Sequence, residues 1–345
     1  MLLENFRPRS KLVAKTTLVE KPRFPVIDAH NHLGESFGGN WISRPLDEIL
    51  AALDEAGVAG CVDLDGGWGE DILDRHLSHL APAANKFRVF GGVDWSKWPE
   101  LGDGFPTFAV ERLRAQKERG AFGLKIWKPF GLHVRDQHGA LVKVDDLRLD
   151  PLWQAAGELG MPVLAHVADP AAFFDPIDET NERWEEIGAN PDWAFTSPPF
   201  PPFLEILTGF KNLVTRHSAT TFIGAHVGCY AENLAFVAGM LDECPNYFVD
   251  TSARLGELGR QPYSARRFFL NYADRILFGL DAGINLQEYQ LSYRFFETED
   301  EYFNYNAGDV PLQGRWHVCG LSLPDQVLKR FYYNNAAKLL NFSTI

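Results

Sequence analysis

Cysteine is scarce in this sequence: Cys61, Cys229, Cys244 and Cys319 are the whole set, and no two form a C-x-x-C pair. A 345-residue chain does not need disulfide staples, so the four thiols fit a reduced, cytoplasmic setting. No window approaches the roughly 18 apolar residues of a membrane span. The N-terminal MLLENFRPRSKLVAKTTLVEKPRFP has no apolar stretch of signal-peptide length. Without a secretion signal, the sequon Asn341-Phe342-Ser343 reads as chance. Runs of Lys or Arg are missing and the formal net charge is −13, which excludes a nucleic-acid partner and an anionic membrane as expected targets. A Gly-rich nucleotide loop is missing too.

What the chain has is apolar material in a repeating order. It is 46% hydrophobic and 13% aromatic, enough for a large core. Short, nearly continuous apolar runs lie at 24–33, 58–64, 87–95, 121–127, 162–167, 221–227, 247–252 and 275–280. Unbroken runs suit parallel strands covered on both faces. Between and after them lie helical patterns at 45–56, 71–80, 108–119, 151–159, 203–216, 232–243, 264–272 and 324–340. Pro45, Pro151 and Pro324 stand where a first helical turn accepts proline, and Gly57, Gly120 and Gly160 where helices end. Eight strands alternating with eight helices predict an α/β fold, a (β/α)₈ TIM barrel. A doubly wound open sheet is the alternative. Residues 1–23 read as an N-terminal arm and 24–345 as one barrel domain. Loops at 128–149, 168–202 and 282–323 follow strands and so should sit at the C-terminal face, the first containing a hairpin turning at His138-Gly139. They would wall a substrate pocket or pack against a second subunit in a homodimer.

The chemistry-bearing residues fall at the ends of those runs. In a strand, residues two apart share a side, so His30 and His32 of His30-Asn31-His32 can face one site. Alone this means little, since ten histidines in 345 residues give an H-x-H about 0.3 times by chance. His166 ends the fifth run, His226 the sixth and Asp281 the eighth. Buried imidazoles need partners, and four of them with a carboxylate on one rim suit a divalent metal. Zinc is the first expectation, and manganese, iron or nickel accept the same ligands. A satisfied structural cluster is the competing reading.

This five-residue pattern, with RILFGLDAG near the end and a last helix FYYNNAAKLL, resembles the amidohydrolase superfamily over about residues 24–342. Within it, the chain is similar to the amidohydrolase-related branch that contains aminocarboxymuconate-semialdehyde decarboxylase. The resemblance implies that His30, His32, His166 and Asp281 bind one metal, with His226 beside it. Some superfamily members bridge two metals with a carboxylated lysine on strand four, where this chain has Lys125 and Lys128. The preferred reading of Lys125 is a ligand for a substrate carboxylate or a lysine paired with a neighbouring strand. Arg254 could fork onto such a carboxylate or form a loop salt bridge. Trp127 could stack on substrate or cap the barrel layer, and Cys229 reads as inert. The expected function is a metal-dependent hydrolase of a small amide, lactone or ester, with Asp281 as proton shuttle and His226 polarising the carbonyl. The alternatives are a nonoxidative decarboxylase using the same ligands and a noncatalytic metal-binding barrel.

Overall fold

The apolar runs become eight parallel strands in one sheet, in sequence order: β1 Val26–Asn31, β2 Val58–Asp63, β3 Phe87–Gly91, β4 Gly123–Ile126, β5 Val163–Ala165, β6 Phe222–Gly224, β7 Tyr247–Asp250 and β8 Ile276–Leu277. This computed structural model describes residues 9–35, 39–306 and 313–343. The first eight residues of the expected arm and 307–312 of the third long loop lie outside them. The expected barrel is therefore observed. Its seam is drawn together where Ala29 N–H donates to the Phe278 carbonyl (2.8 Å), Asp281 N–H to that of His30 (2.8 Å) and His32 N–H to that of Ala282 (3.0 Å). Among the described residues, no helix is long and apolar enough to cross a membrane.

Two apolar layers follow from the two faces of the strands. Ile27, Ala29, Val62, Leu64, Phe90, Leu164, Ile223 and Leu277 meet inside the barrel. Val26, Cys61, Val89, Leu124, Val163, Phe222, Val249 and Ile276 meet the helices outside. A strand covered on both faces gains no benefit from alternation, hence the continuous runs. Helix Leu46–Ala56 ends at Gly57 (φ 76°) and helix Phe105–Arg119 at Gly120 (φ 115°), the left-handed positions that glycine occupies cheaply.

The structure departs from the sequence reading at element ends. The expected strand 221–227 stops at Gly224 because the chain then enters a left-handed turn. The expected strand 275–280 shrinks to two residues. The hairpin at His138-Gly139 reduces to a single antiparallel bridge, Arg135 with Leu141, around a turn with Gly139 at φ 76°. The third loop contains an unforeseen helix, Leu286–Glu297, capped by the Asn285 side chain. The last helix is interrupted by one π-turn, Arg330–Asn334.

Candidate metal centre

Strand ends and the turns after them gather the expected side chains: His30, His226 and Asp281 form one mutual group, with His32 reaching Asp281 and His166 reaching His226. From β1, His30 Nε2 and His32 Nε2 approach the same oxygen, Oδ1 of Asp281, at 3.1 and 3.2 Å. His226 Nε2 is 3.8 Å from Asp281 Oδ2 and 3.4 Å from His166 Nδ1. One ligand atom each from His30, His226 and Asp281 lies within 4.8 Å of the other two. The convergence needed a break in pattern. Ile27 and Ala29 already face the interior, so strict alternation would send His30 outward; the register of β1 on β2 shifts between Asp28 and Asn31.

Neither His226 nor Asp281 stands on a regular strand. His226 (φ 58°), Val227 (φ 57°), Gly228 (φ 66°) and Cys229 (φ 60°) are consecutive and left-handed, and Asp281 has φ 65°. Left-handed backbone outside glycine costs about 1–3 kcal/mol per residue and persists only where its surroundings enforce it. Here Cys229 N–H donates to the Ala225 carbonyl (2.8 Å) and His226 N–H to Asp250 Oδ1 (3.0 Å). The Tyr247 hydroxyl sits where a Cβ on Gly224 or Gly228 would be, at 2.1 and 2.4 Å.

The outward nitrogens fix what the inward ones present. His30 Nδ1 meets Asp250 Oδ2 (2.8 Å), His32 Nδ1 meets Asp65 Oδ1 (2.7 Å) and His166 Nε2 meets Asp169 Oδ1 (3.2 Å). His226 Nδ1 meets the Ser252 carbonyl (3.0 Å), which can only accept, so this nitrogen carries the proton. In the neutral imidazoles, each outward N–H leaves a lone pair on the inward nitrogen. Four lone pairs then face one another and a carboxylate. That donor set suits a divalent cation.

The electrostatics agree. Burial first, and then neighbouring His166, push His226 well below the usual histidine range, and burial lowers His166 to about 4. Burial works against a charged His32, but hydrogen bonds to Asp281 and Asp65 prevail and raise it to about 9. Without a metal, a proton held there offsets part of the charge. Burial would raise Asp281, yet the facing His226 and His30 hold it well below the usual range.

The other expected site residues lie close by. Burial lowers Lys125 to about 8, its Nζ is 3.3 Å from His30 Nε2, and it lies 4.9 Å from the Trp127 ring centre. Trp127 is also 5.1 Å from the His32 ring. Arg254 is buried two residues after Ser252, and one guanidinium N–H donates to the Ala253 carbonyl (2.8 Å). Neither cation makes an ion pair among the described residues, so the loop salt bridge entertained for Arg254 is not seen. Burial lifts the Cys229 thiol to about 11, consistent with an unreactive cysteine. A cavity of about 520 Å³ opens beside Asp281, lined also by Thr251, Ala253, Leu255, Glu288 and Phe296. Sequence reasoning missed Asp65, Asp169 and Asp250, although strand-end position, the rule that found the histidines, would have flagged Asp250.

The family model described as amidohydrolase matches residues 83–342. The chain belongs to this amidohydrolase family. No curated protein matches it by sequence. Among solved structures, a dihydroxybenzoic acid decarboxylase from Polaromonas, with bound manganese and the inhibitor 2-nitroresorcinol, is 16% identical over 93% of this chain and 98% of its own, with a TM-score of 0.56. An amidohydrolase from Burkholderia multivorans with bound zinc is 14% identical over 92% and 100%, TM-score 0.53. A protein from Acinetobacter baumannii described as a probable 2-pyrone-4,6-dicarboxylic acid hydrolase is 10% identical over 92% and 100%, TM-score 0.54. These likenesses establish a shared barrel. The resemblance read from the sequence is thereby borne out at the level of family and fold, and the neighbours divide between decarboxylase and hydrolase.

Proposed function

We propose that this amidohydrolase is a metal-dependent hydrolase of small, carboxylate-bearing carbonyl compounds. One observation carries the reading: four imidazoles, each hydrogen-bonded at its outer nitrogen, turn the other nitrogen toward Asp281 or toward one another. His30, His32, His166 and Asp281 would hold the metal, zinc by preference, with His226 beside it. The metals named for the Polaromonas and Burkholderia proteins support a divalent ion without choosing it. When bound, such an ion supplies Lewis acidity that polarises a carbonyl and makes water a nucleophile at neutral pH.

The chain's own groups do the rest. Asp281 has two oxygens in different settings: Oδ1 faces His30 and His32, while Oδ2 looks toward His226. Oδ1 would serve as a ligand, and Oδ2 would be the oxygen left to take a proton from the attacking water and pass it to the leaving group. His226 steadies the charge that develops on the carbonyl oxygen. Lys125 and Arg254 bind the substrate carboxylate, and Trp127 covers it.

The same two unpaired cations favour the second reading, nonoxidative decarboxylation, in which the bound carboxylate is itself lost. Metal analysis followed by a panel of lactones, amides and aromatic or enoic acids decides between them. Acid release from the neutral carbonyl is expected; CO₂ release from the acids instead transfers the assignment to the lyase. A protein that binds no transition metal sinks both.

A further inference from the structure

Lys128 closes β4's end three residues beyond Lys125, outside the catalytic scheme above. Its Nζ lies 2.5 Å from Asp169 Oδ2, and the other oxygen of that carboxylate, Oδ1, lies 3.2 Å from His166 Nε2. Asp169 is nearly buried, and the hydrogen bond from His166 together with the neighbouring Lys128 ammonium holds its carboxyl well below the usual range against the opposing effect of burial. The lysine stem runs beneath the long loop after β5, with its ammonium 5.2 Å from the Trp193 ring centre and 5.5 Å from that of Phe195.

An isolated rim ion pair would contribute little. This one has a direction. Lys128 occupies one carboxylate oxygen, so the other is aimed at His166, and the bond it accepts puts the imidazole proton on Nε2. Nδ1 is left as a lone pair 3.4 Å from His226 Nε2. His166 differs here from His30, His32 and His226, which turn Nε2 inward. The tautomer commoner in solution is therefore the one the site needs, and the bond to the carboxylate holds the ring in that orientation.

We propose that Lys128 and Asp169 are positioning residues: the Lys128–Asp169 pair orients His166 and holds it in the Nε2–H form, so that Nδ1 is ready for a metal. The role rests on His166 being a ligand, as in the function proposed above. It links strand β4 and the aromatic loop over β5 to the metal centre through two polar contacts.

The test uses the full chain stripped of metal, with Zn²⁺ alone as the probe and a chromophoric chelator as competitor. Lys128→Met and Asp169→Ala should each weaken zinc binding by about 10- to 100-fold, the usual effect of losing a partner behind a ligand. Nitrogen-15 spectra of the metal-free protein should show His166 as Nε2–H in the wild type and a mixture with Nδ1–H in the variants. Lys128→Arg should restore both readouts, which recovery of stability alone would not predict. If Asp169→Ala does not fold, Lys128→Met carries the test, since methionine keeps the stem against Trp193 and Phe195. A folded Lys128→Met with zinc affinity within twofold of wild type and an unchanged tautomer overturns the inference. A wild-type chain that takes up no zinc fails the metal reading instead, and the tautomer comparison then still decides whether the pair orients His166.

Discussion

Removing the metal should cost the protein measurable stability, and the amount can be worked out. Any ligand that binds only the folded state stabilises it by RT ln(1 + [L]/Kd), about 2.7 kcal/mol when free ligand is at 100 Kd. A chain of 345 residues unfolds with an entropy of about 0.7 kcal/mol/K near its midpoint. Zinc at 100 Kd should therefore raise the Tm by roughly 4 °C over the metal-free protein. A thousandfold excess, worth about 4.1 kcal/mol, should give roughly 6 °C. The assay is a thermal melt of chelator-treated protein against buffered free zinc. The dependence on log concentration matters more than the size of any one shift, because it reports binding to the native state. The structure gives a reason to expect it: His30 Nε2 and His32 Nε2 lie 3.1 and 3.2 Å from one carboxylate oxygen, an arrangement that needs positive charge between the partners. A midpoint indifferent to zinc across three decades, in protein freed of metal by elemental analysis, would refute the donor-set argument.

Four further outcomes follow from the same geometry. In metal-free protein, His32 is raised to about 9 from an ordinary 6.5. Its contribution to stability should thus be complete below about pH 6.5 and disappear as pH rises through 9, visible as a falling Tm over that window. Asp281→Asn keeps the shape but removes the proton acceptor, so kcat should fall by about 10²- to 10⁴-fold in steady-state assays. Arg254→Met should raise KM for a carboxylate substrate by about tenfold or more, at about 1.5–3 kcal/mol for a charged hydrogen bond, while a neutral ester analogue is turned over as before. Gly228→Ala puts a Cβ 2.4 Å from the Tyr247 hydroxyl at φ 66°. The backbone cost of about 1–2 kcal/mol and the overpacking cost of about 1–3 kcal/mol should lower the Tm by several degrees and weaken zinc binding through His226.

Much of the architecture could be read from residue order because burial on both faces of a parallel strand leaves a plain trace. Leu124, Val163 and Val249 face the helices while Leu164, Ile223 and Leu277 face the interior, and both sets are apolar. The histidines were legible for the opposite reason: polar residues at the ends of apolar runs have no packing role to explain them. The backbone that aims them was not. No local propensity predicts Val227 in a left-handed turn, since a β-branched residue disfavours it. The turn is imposed from outside, by Asp250 on the His226 amide and by the Tyr247 ring beneath the glycines. Asp169 was missed because a carboxylate in a Pro- and Phe-rich loop reads as solvated surface until Lys128 and His166 are seen on either side of it. Helix Leu286–Glu297 was missed because its aromatic residues masked the cap at Asn285.

The seam where β1 meets β8 also sets an order of events during synthesis. Asp281 is fastened by its own amide to the carbonyl of His30, a residue made some 250 positions earlier. A growing polypeptide carries His30, His32, His166 and His226 before Asp281, the carboxylate that His30, His32 and His226 face, has been made. The donor set proposed above would consequently be complete only on a nearly full-length chain.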